Sequence, residues 1–291
     1  MKNRFMFFVC LVSFGAVFAS CNKSLPDVAV PEGPSQVVFT AEGFDAAVST
    51  RAAEVSSLSS FYCLATTGTP GAAAETTSPG FASTQFTASG ANFTGGQYWP
   101  ATNPSYHFYA ASKALSLSSG NVTFAPGTTI ADDVYAYLAS PTYKNTNALT
   151  FNHIYAQVGS CNISAPSGYT ISGLTVKITP NLPSASSTFN VRTGTWGGTP
   201  TTGSAVTLCS TTGSTTDNDL WLIPGTYTLT AAYTISKGAY SETLTKQASV
   251  TLVMGRNNNI TATLPEGDAA DVVFTVSVTP WSNNSITATF N

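Results

Sequence analysis

Cys21 carries the clearest chemistry in this chain. It follows an almost unbroken apolar run, Phe5 to Phe18, that begins after Lys2 and Arg4 and ends in Ala19-Ser20. A basic start, an apolar stretch shorter than the roughly 20 residues of a spanning helix, and small residues before the cut are the order of a secretory signal peptide. With cysteine at the cleavage point, Phe18-Ala19-Ser20-Cys21 resembles a bacterial lipobox. The expected chemistry is cleavage before Cys21 and attachment of diacylglycerol to its sulfur. Acyl chains then hold the mature protein on a membrane, at about 0.8 kcal/mol per buried CH2. The alternative is an ordinary signal peptide in which Cys21 is incidental, but cysteine then has no reason to stand at the cut.

Other residues able to do chemistry are sparse. Cys10 leaves with the leader, and Cys63, Cys161 and Cys209 form no CxxC pair. Their odd count allows one disulfide at most, and the plainer reading is three small buried hydrophobes. His107 and His153 stand inside strand-like patterns without an HExxH or HxH arrangement, so they read as structural histidines. No GxSxG elbow and no P-loop occurs. The stretch Gly194 to Gly203 (GTWGGTPTTG) lacks the lysine and the strand-to-helix setting of a phosphate loop and reads as a mobile loop. Asp217-Asn218-Asp219 offers oxygen ligands but not the spaced carboxylates of a calcium loop, so it reads as a turn. Trp99 and Trp281 fall at strand ends, where packing accounts for them. Trp196, in the Gly-rich loop, is the tryptophan expected to be exposed and the candidate contact for a glycan or host protein. No catalytic residue, metal site or cofactor is expected, and a hydrolase finds no acid-base constellation here.

The elements that must position these residues are strands. Charged residues make up 9% of the chain, far below the ~25% of ordinary soluble domains, while aromatic residues reach 11% and hydrophobic residues 43%. A chain with that many aromatics should fold, and abundant Thr with aromatic residues favours pleated, half-buried surfaces. The net charge of −3, with the 11 basic residues scattered singly, argues against a nucleic-acid partner. Removal of residues 1–20 leaves about 270 residues, enough for one large domain or two small ones.

Along the chain, Asn22 to Ser35, with Pro26, Pro31 and Pro34, reads as an extended tether. Strands are expected at Val37–Ala41, Ser60–Thr66, Tyr106–Ala111, Val122–Phe124, Asp133–Leu138 and, as one longer strand, Leu149–Val158, with a loop over Gly68–Gly80. Alternation is cleaner in the second half. Leu174, Val176 and Ile178 share one face, as do Tyr227, Leu229, Ala231, Tyr233 and Ile235, and again Phe274, Val276 and Val278. Such period-two runs, separated by turns at Pro224-Gly225 and Met254-Gly255 and with no helical periodicity between them, predict an all-β sandwich. A polar stretch, Ser140 to Asn147, is the expected domain boundary.

Taken in order, these pieces resemble a known family. They are the lipobox, the strand VVFTA (37–41), Ser49-Thr50-Arg51-Ala52, Tyr98-Trp99-Pro100, Tyr106 to Ala110, and Leu149 to Val158 with its central His153. Later come Leu222 to Leu229 (LIPGTYTL), Gly255 to Ile260 (GRNNNI) and Phe274 to Trp281. The order resembles the fimbrillin-like lipoproteins of Bacteroidetes, the family of major and minor fimbrial subunits. The resemblance implies two tandem transthyretin-like β-sandwich domains after the signal peptide of residues 1–20 and the tether of residues 21–36. They would span 37–146 and 147–291. It implies an outer-membrane lipoprotein exposed at the cell surface. It also implies that an Arg-specific protease cuts after the first strand, at the position matching Arg51, with Ala52 as the new N-terminus. A neighbouring subunit would then donate a strand to the vacated groove. The candidate donor here is Ile286, Thr287, Ala288, Thr289 and Phe290, with or without Phe274 to Trp281, at the C-terminal end. Partners implied are other fimbrial subunits, the membrane through the lipid, and a host glycan or protein in adhesion. The alternative is an anchored lipoprotein that binds glycan or host protein without polymerising.

Overall fold

The computed structural model describes residues 34–42, 58–214, 220–266 and 271–280. Every regular element among them is a strand. In chain order these are β1 (Gln36–Glu42), β2 (Ser60–Thr67), β3 (Thr76–Ser89), β4 (Asn92–Tyr98), β5 (His107–Ala111), β6 (Ser116–Ser118), β7 (Asn121–Phe124), β8 (Val134–Leu138), β9 (Thr146–Thr150) and β10 (Asn152–His153). The second half adds β11 (Ala156–Ser164), β12 (Thr170–Ile178), β13 (Asn181–Leu182), β14 (Thr188–Asn190), β15 (Thr195–Gly197), β16 (Thr201–Thr202), β17 (Val206–Cys209) and β18 (Gly213–Ser214). It ends with β19 (Leu220–Leu222), β20 (Gly225–Lys237), β21 (Tyr240–Leu252), β22 (Arg256–Thr263) and β23 (Val273–Pro280).

The N-terminal half is one mixed sheet in the order β10-β8-β5-β2-β3-β4-β1-β9. The sheet curls over, because its apolar side chains gather on one face. Phe39 of β1 reaches Phe108 of β5, with ring centroids 4.9 Å apart and nearly perpendicular. Phe61, Phe81, Phe86, Phe93 and Phe151 fill the rest of this core with Trp99 and Tyr106. The long strand β3 carries the curl: most of its length pairs with β2, and its last residues, Thr87 to Ser89, also pair with β4. Residues 76–80, expected in a loop, extend this strand. Gly80 permits that, since a Cβ there would stand 2.2 Å from the carbonyl oxygen of Ala65.

In the C-terminal half, two sheets enclose a second core. One runs β18-β11-β22-β23 with β19 beside β11, and the other runs β17-β12-β20-β21. Tyr227, Leu229, Ala231, Tyr233 and Ile235 all point into that core, as their alternation predicts. The β20–β21 hairpin turns through Gly238 and Ala239, and Gly238 takes φ +60°, the conformation a type II′ turn requires at its first loop position.

A third apolar cluster joins the halves. A small sheet, β15-β14-β7-β6, takes two strands from each half and covers the outer face of the N-terminal sheet. Phe189 and Val191 pack there with Val122, Phe124, Tyr109 and Leu64. This explains why β5 shows no alternation: Phe108 and Ala110 face the first core while Tyr109 and Ala111 face the third. It also corrects the single strand expected at Leu149–Val158. That stretch is divided among β9, β10 and β11; Thr150 and Asn152 are exposed, and burial is continuous only from His153 to Val158, where the chain passes from one core to another. β9 pairs with β1 and β10 with β8, so the N-terminal sheet extends to His153.

The fold makes a direct energetic prediction. Phe39→Ala should cost about 3–5 kcal/mol, because a fully buried ring in contact with three others is lost. Thr228→Ala, on the exposed face of β20, should change stability by less than about 0.5 kcal/mol. Urea unfolding followed by tryptophan fluorescence measures both.

Candidate functional site

The first strand is the element with the most consequential setting. β1 is flanked on both sides, antiparallel to β4 (Val38 opposite Thr94, Phe39 opposite Phe93) and parallel to β9 from Val38–Thr146 to Glu42–Thr150. Its ends are tied as well: Trp99 N donates to Ser35 O at 2.8 Å and Phe151 N to Glu42 O at 2.9 Å. Val37 and Phe39 are fully buried. Without β1, β4 and β9 would lose a row of backbone partners, and the space against Phe61, Phe86 and Phe108 would open.

Most residues singled out from the sequence lie outside the described residues. These are Cys21, Arg51, Ala52, Ile286 to Phe290, Asp217 to Asp219 and Trp281. In chain order Arg51 falls between β1 and β2. Trp196 does not stand free in a mobile loop. Residues 194–203 contain β15 and β16, and Trp196 is part-buried. Its Nε1 donates to Ile154 O at 3.0 Å, and its ring packs on Tyr155 and Phe189 at 5.2 and 5.7 Å. The apolar hairpin that carries it is drawn onto the third core. Trp99 is 3% exposed and stacks on Tyr106 at 5.5 Å, in keeping with a packing role. Cys63, Cys161 and Cys209 are all buried and not joined by disulfides.

The histidines find partners that sequence spacing does not reveal. His107 sets Nδ1 2.6 Å from Ala139 O and Nε2 3.0 Å from Gly68 O, tying β5 to two loops. His153 places Nδ1 2.5 Å from Asp132 Oδ1. The adjacent Asp133 accepts from Ser112 Oγ at 2.8 Å, with Lys113 Nζ 3.5 Å from the same oxygen, and its carbonyl accepts from Ile154 N at 3.1 Å. The Asp132 carboxylate and the Asp133 carbonyl pin the passage from β10 to β11 against the start of β8. A third buried carboxylate, Glu75, accepts from Thr66 Oγ1, Tyr109 OH and Gly71 N at 2.6–2.7 Å. The guanidinium of Arg192, from the β14–β15 loop, lies over that turn: a Cβ on Gly71 would meet it at 2.5 Å. Asn258 closes the turn between β21 and β22, accepting from Val253 N and donating to the carbonyls of Gln157, Val253 and Arg256. These groups satisfy buried backbone and join elements; among the described residues no cluster of three or more His, Cys, Asp or Glu could hold a metal.

Burial pushes the Asp133 carboxyl above its ordinary value of 3.8, against the opposing pull of Ser112 and Lys113. The folded protein thus holds this proton more tightly than the unfolded chain. The resulting stabilisation is present below 3.8 and is lost as pH rises through the elevated folded-state value. Asp133→Asn removes this dependence. Relative to the variant, the wild-type urea midpoint should fall as pH is raised from about 4 toward neutrality. Parallel curves would refute it.

No curated protein matches the chain. Among solved structures, a candidate cell adhesion protein from Bacteroides ovatus ATCC 8483 is 14% identical, covering 86% of this chain and 98% of its own, with a TM-score of 0.43. Another from Bacteroides eggerthii DSM 20697 is 11% identical, covering 85% and 97%, with a TM-score of 0.40. A fimbrial assembly protein from Parabacteroides distasonis ATCC 8503 is 7% identical, covering 84% and 95%, with a TM-score of 0.36. The assignment rests instead on the model of the fimbrillin-like family, which matches residues 50–281. Over most of its length, from just ahead of β2 to just past β23, the chain is a member of the fimbrillin-like family.

Proposed function

We propose that this protein is a surface-anchored fimbrial subunit, or an accessory protein of a fimbrium, that assembles by strand exchange once proteolysis releases β1. The role is structural and adhesive rather than enzymatic. The observation that supports it best is the setting of β1. It comes first among the described strands, carries Phe39 into the aromatic core, and is followed in the chain by Arg51. Cleavage between Arg51 and Ala52 would leave β1 held by hydrogen bonds and apolar contact alone. Its departure would expose two rows of backbone groups and an apolar slot. A strand from a neighbour satisfies both, by β-augmentation. Repeated head to tail without closure, the exchange builds a filament.

The donor in this reading is Ile286 to Phe290. Ile286, Ala288 and Phe290 alternate with Thr287 and Thr289, so one face of an extended segment is apolar, as in Val37 and Phe39 of β1. Membership of the fimbrillin-like family supports a setting at the cell surface or in a fimbrium, with other subunits as partners. The sequence order around Cys21 supports a lipid anchor in the outer membrane. The non-polymerising reading, with Trp196 as the glycan or host contact, is weakened by the engagement of that indole in packing.

Treatment of the purified lipoprotein with an Arg-specific protease should give a fragment beginning at Ala52 and then a ladder of polymers in denaturing gels without heating. Arg51→Ala should abolish both. Deletion of residues 282–291 should leave cleavage intact and stop the ladder. A ladder that persists in Arg51→Ala overturns the cleavage step, and one that persists in the deletion overturns the donor assignment.

A further inference from the structure

Three cysteines remain beyond Cys21, and the fold decides which two can meet. Cys63 lies in the N-terminal core, its Sγ directed to Leu64 O at 3.9 Å. Cys161, on β11, and Cys209, at the end of β17, belong to opposite sheets of the C-terminal half and share its core. Their sulfurs are 3.4 Å apart, with the Cys161 thiol donating to Cys209 Sγ. Exposures of 0% and 4% seal the pair from any outside thiol in the folded state. We propose that Cys161 and Cys209 form a disulfide in the exported protein, a covalent staple between the two sheets of the C-terminal half.

The chemistry is thiol–disulfide exchange with an external disulfide, carried by an oxidoreductase or a small-molecule disulfide of the oxidising compartment outside the cytoplasm. It runs while the sheets are still closing, before burial excludes the reagent. The Cys209 thiolate attacks one sulfur of the external disulfide, forming a mixed disulfide and expelling one thiolate. The Cys161 thiolate then attacks Cys209 Sγ, forming the internal bond and expelling the second thiolate. Two protons leave the protein thiols, and two electrons reduce the external disulfide to two thiols. The balance is the same if Cys161 attacks first, since the exchange precedes the burial that distinguishes the two thiols. Bond formation requires the two sulfurs to close from their 3.4 Å contact to bonding distance, which side-chain rotation supplies.

The bond closes a loop between residues 48 apart in sequence and ties together the two sheets that enclose the C-terminal core. It lies in a different core from the β1 slot, so its test is independent of the strand-exchange reading. Full-length protein is isolated from membranes of exporting cells, denatured with N-ethylmaleimide and no reductant, and cut with trypsin, which cleaves at Lys177 and Arg192 between the two cysteines. Cys63 should carry the label, and the Cys161 and Cys209 peptides should be found unlabelled and linked. Unfolding, reduction and refolding in reductant should lower the melting temperature of the wild type by about 5–10 °C relative to the untreated protein and leave a Cys161→Ala, Cys209→Ala double variant unchanged. Label on both Cys161 and Cys209, or a linkage that uses Cys63, overturns the proposal.

Discussion

The N-terminal half holds together through one ring. Phe39 is the point at which the curled sheet closes on itself, since its ring touches Phe61, Phe86 and Phe108, which lie on strands away from β1 in the sheet order. Backbone pairing to β4 and β9 sets the strand's height and direction, and the ring sets its depth. An interior packed at crystal-like density has no low-energy way to leave such a space empty. Anything that takes β1 away must therefore supply another strand or expose the core. The same contact that stabilises the monomer thus defines what an incoming segment must present.

The two halves are joined through a shared apolar cluster. The joint is made of interleaved strands rather than a simple linker. β14 pairs with β7 through Phe189 opposite Phe124, and the two rings sit 5.6 Å apart. Tyr135 adds a second ring at 4.7 Å from Phe189. Around this apolar joint lie the buried carboxylates. Glu75 gathers three donors, whereas Asp133 sets only Oδ1 against Ser112 and Lys113 and leaves Oδ2 buried without a hydrogen-bond partner. The exposed face of the β20–β21 hairpin carries Thr226, Thr228, Thr243 and Thr251, several bonded across strands. Threonine there provides β-propensity and wetting without charge, which is how so charge-poor a chain keeps a polar outside.

Legibility from sequence followed burial geometry. Strands with one wet face announced themselves: Tyr227 to Ile235 alternates, and the structure buries those residues between 0% and 5%. Strands buried on both faces did not, because period two vanishes when each side has a core. This is why Tyr109 gave no hint of facing a different core from Phe108. Gly80 and Gly71 looked like loop residues; their meaning is close approach, to Ala65 in one case and to Arg192 in the other. The family resemblance was available from the order of weak motifs, because that order is a property of the chain alone.

By itself the sequence determined that the chain is all-β, and it alone carries the residue order around Cys21 that resembles a lipobox. Those features are local: alternation, composition and short spacing need no knowledge of what lies across the core. Only the tertiary structure decided that β1 is held between β4 and β9, that Trp196 packs rather than protrudes, that His153 meets Asp132, and that Cys161 faces Cys209 across two sheets. Each of these joins residues distant in the chain. A contact of that kind is fixed by how whole sheets curl and stack, not by the residues on either side of it.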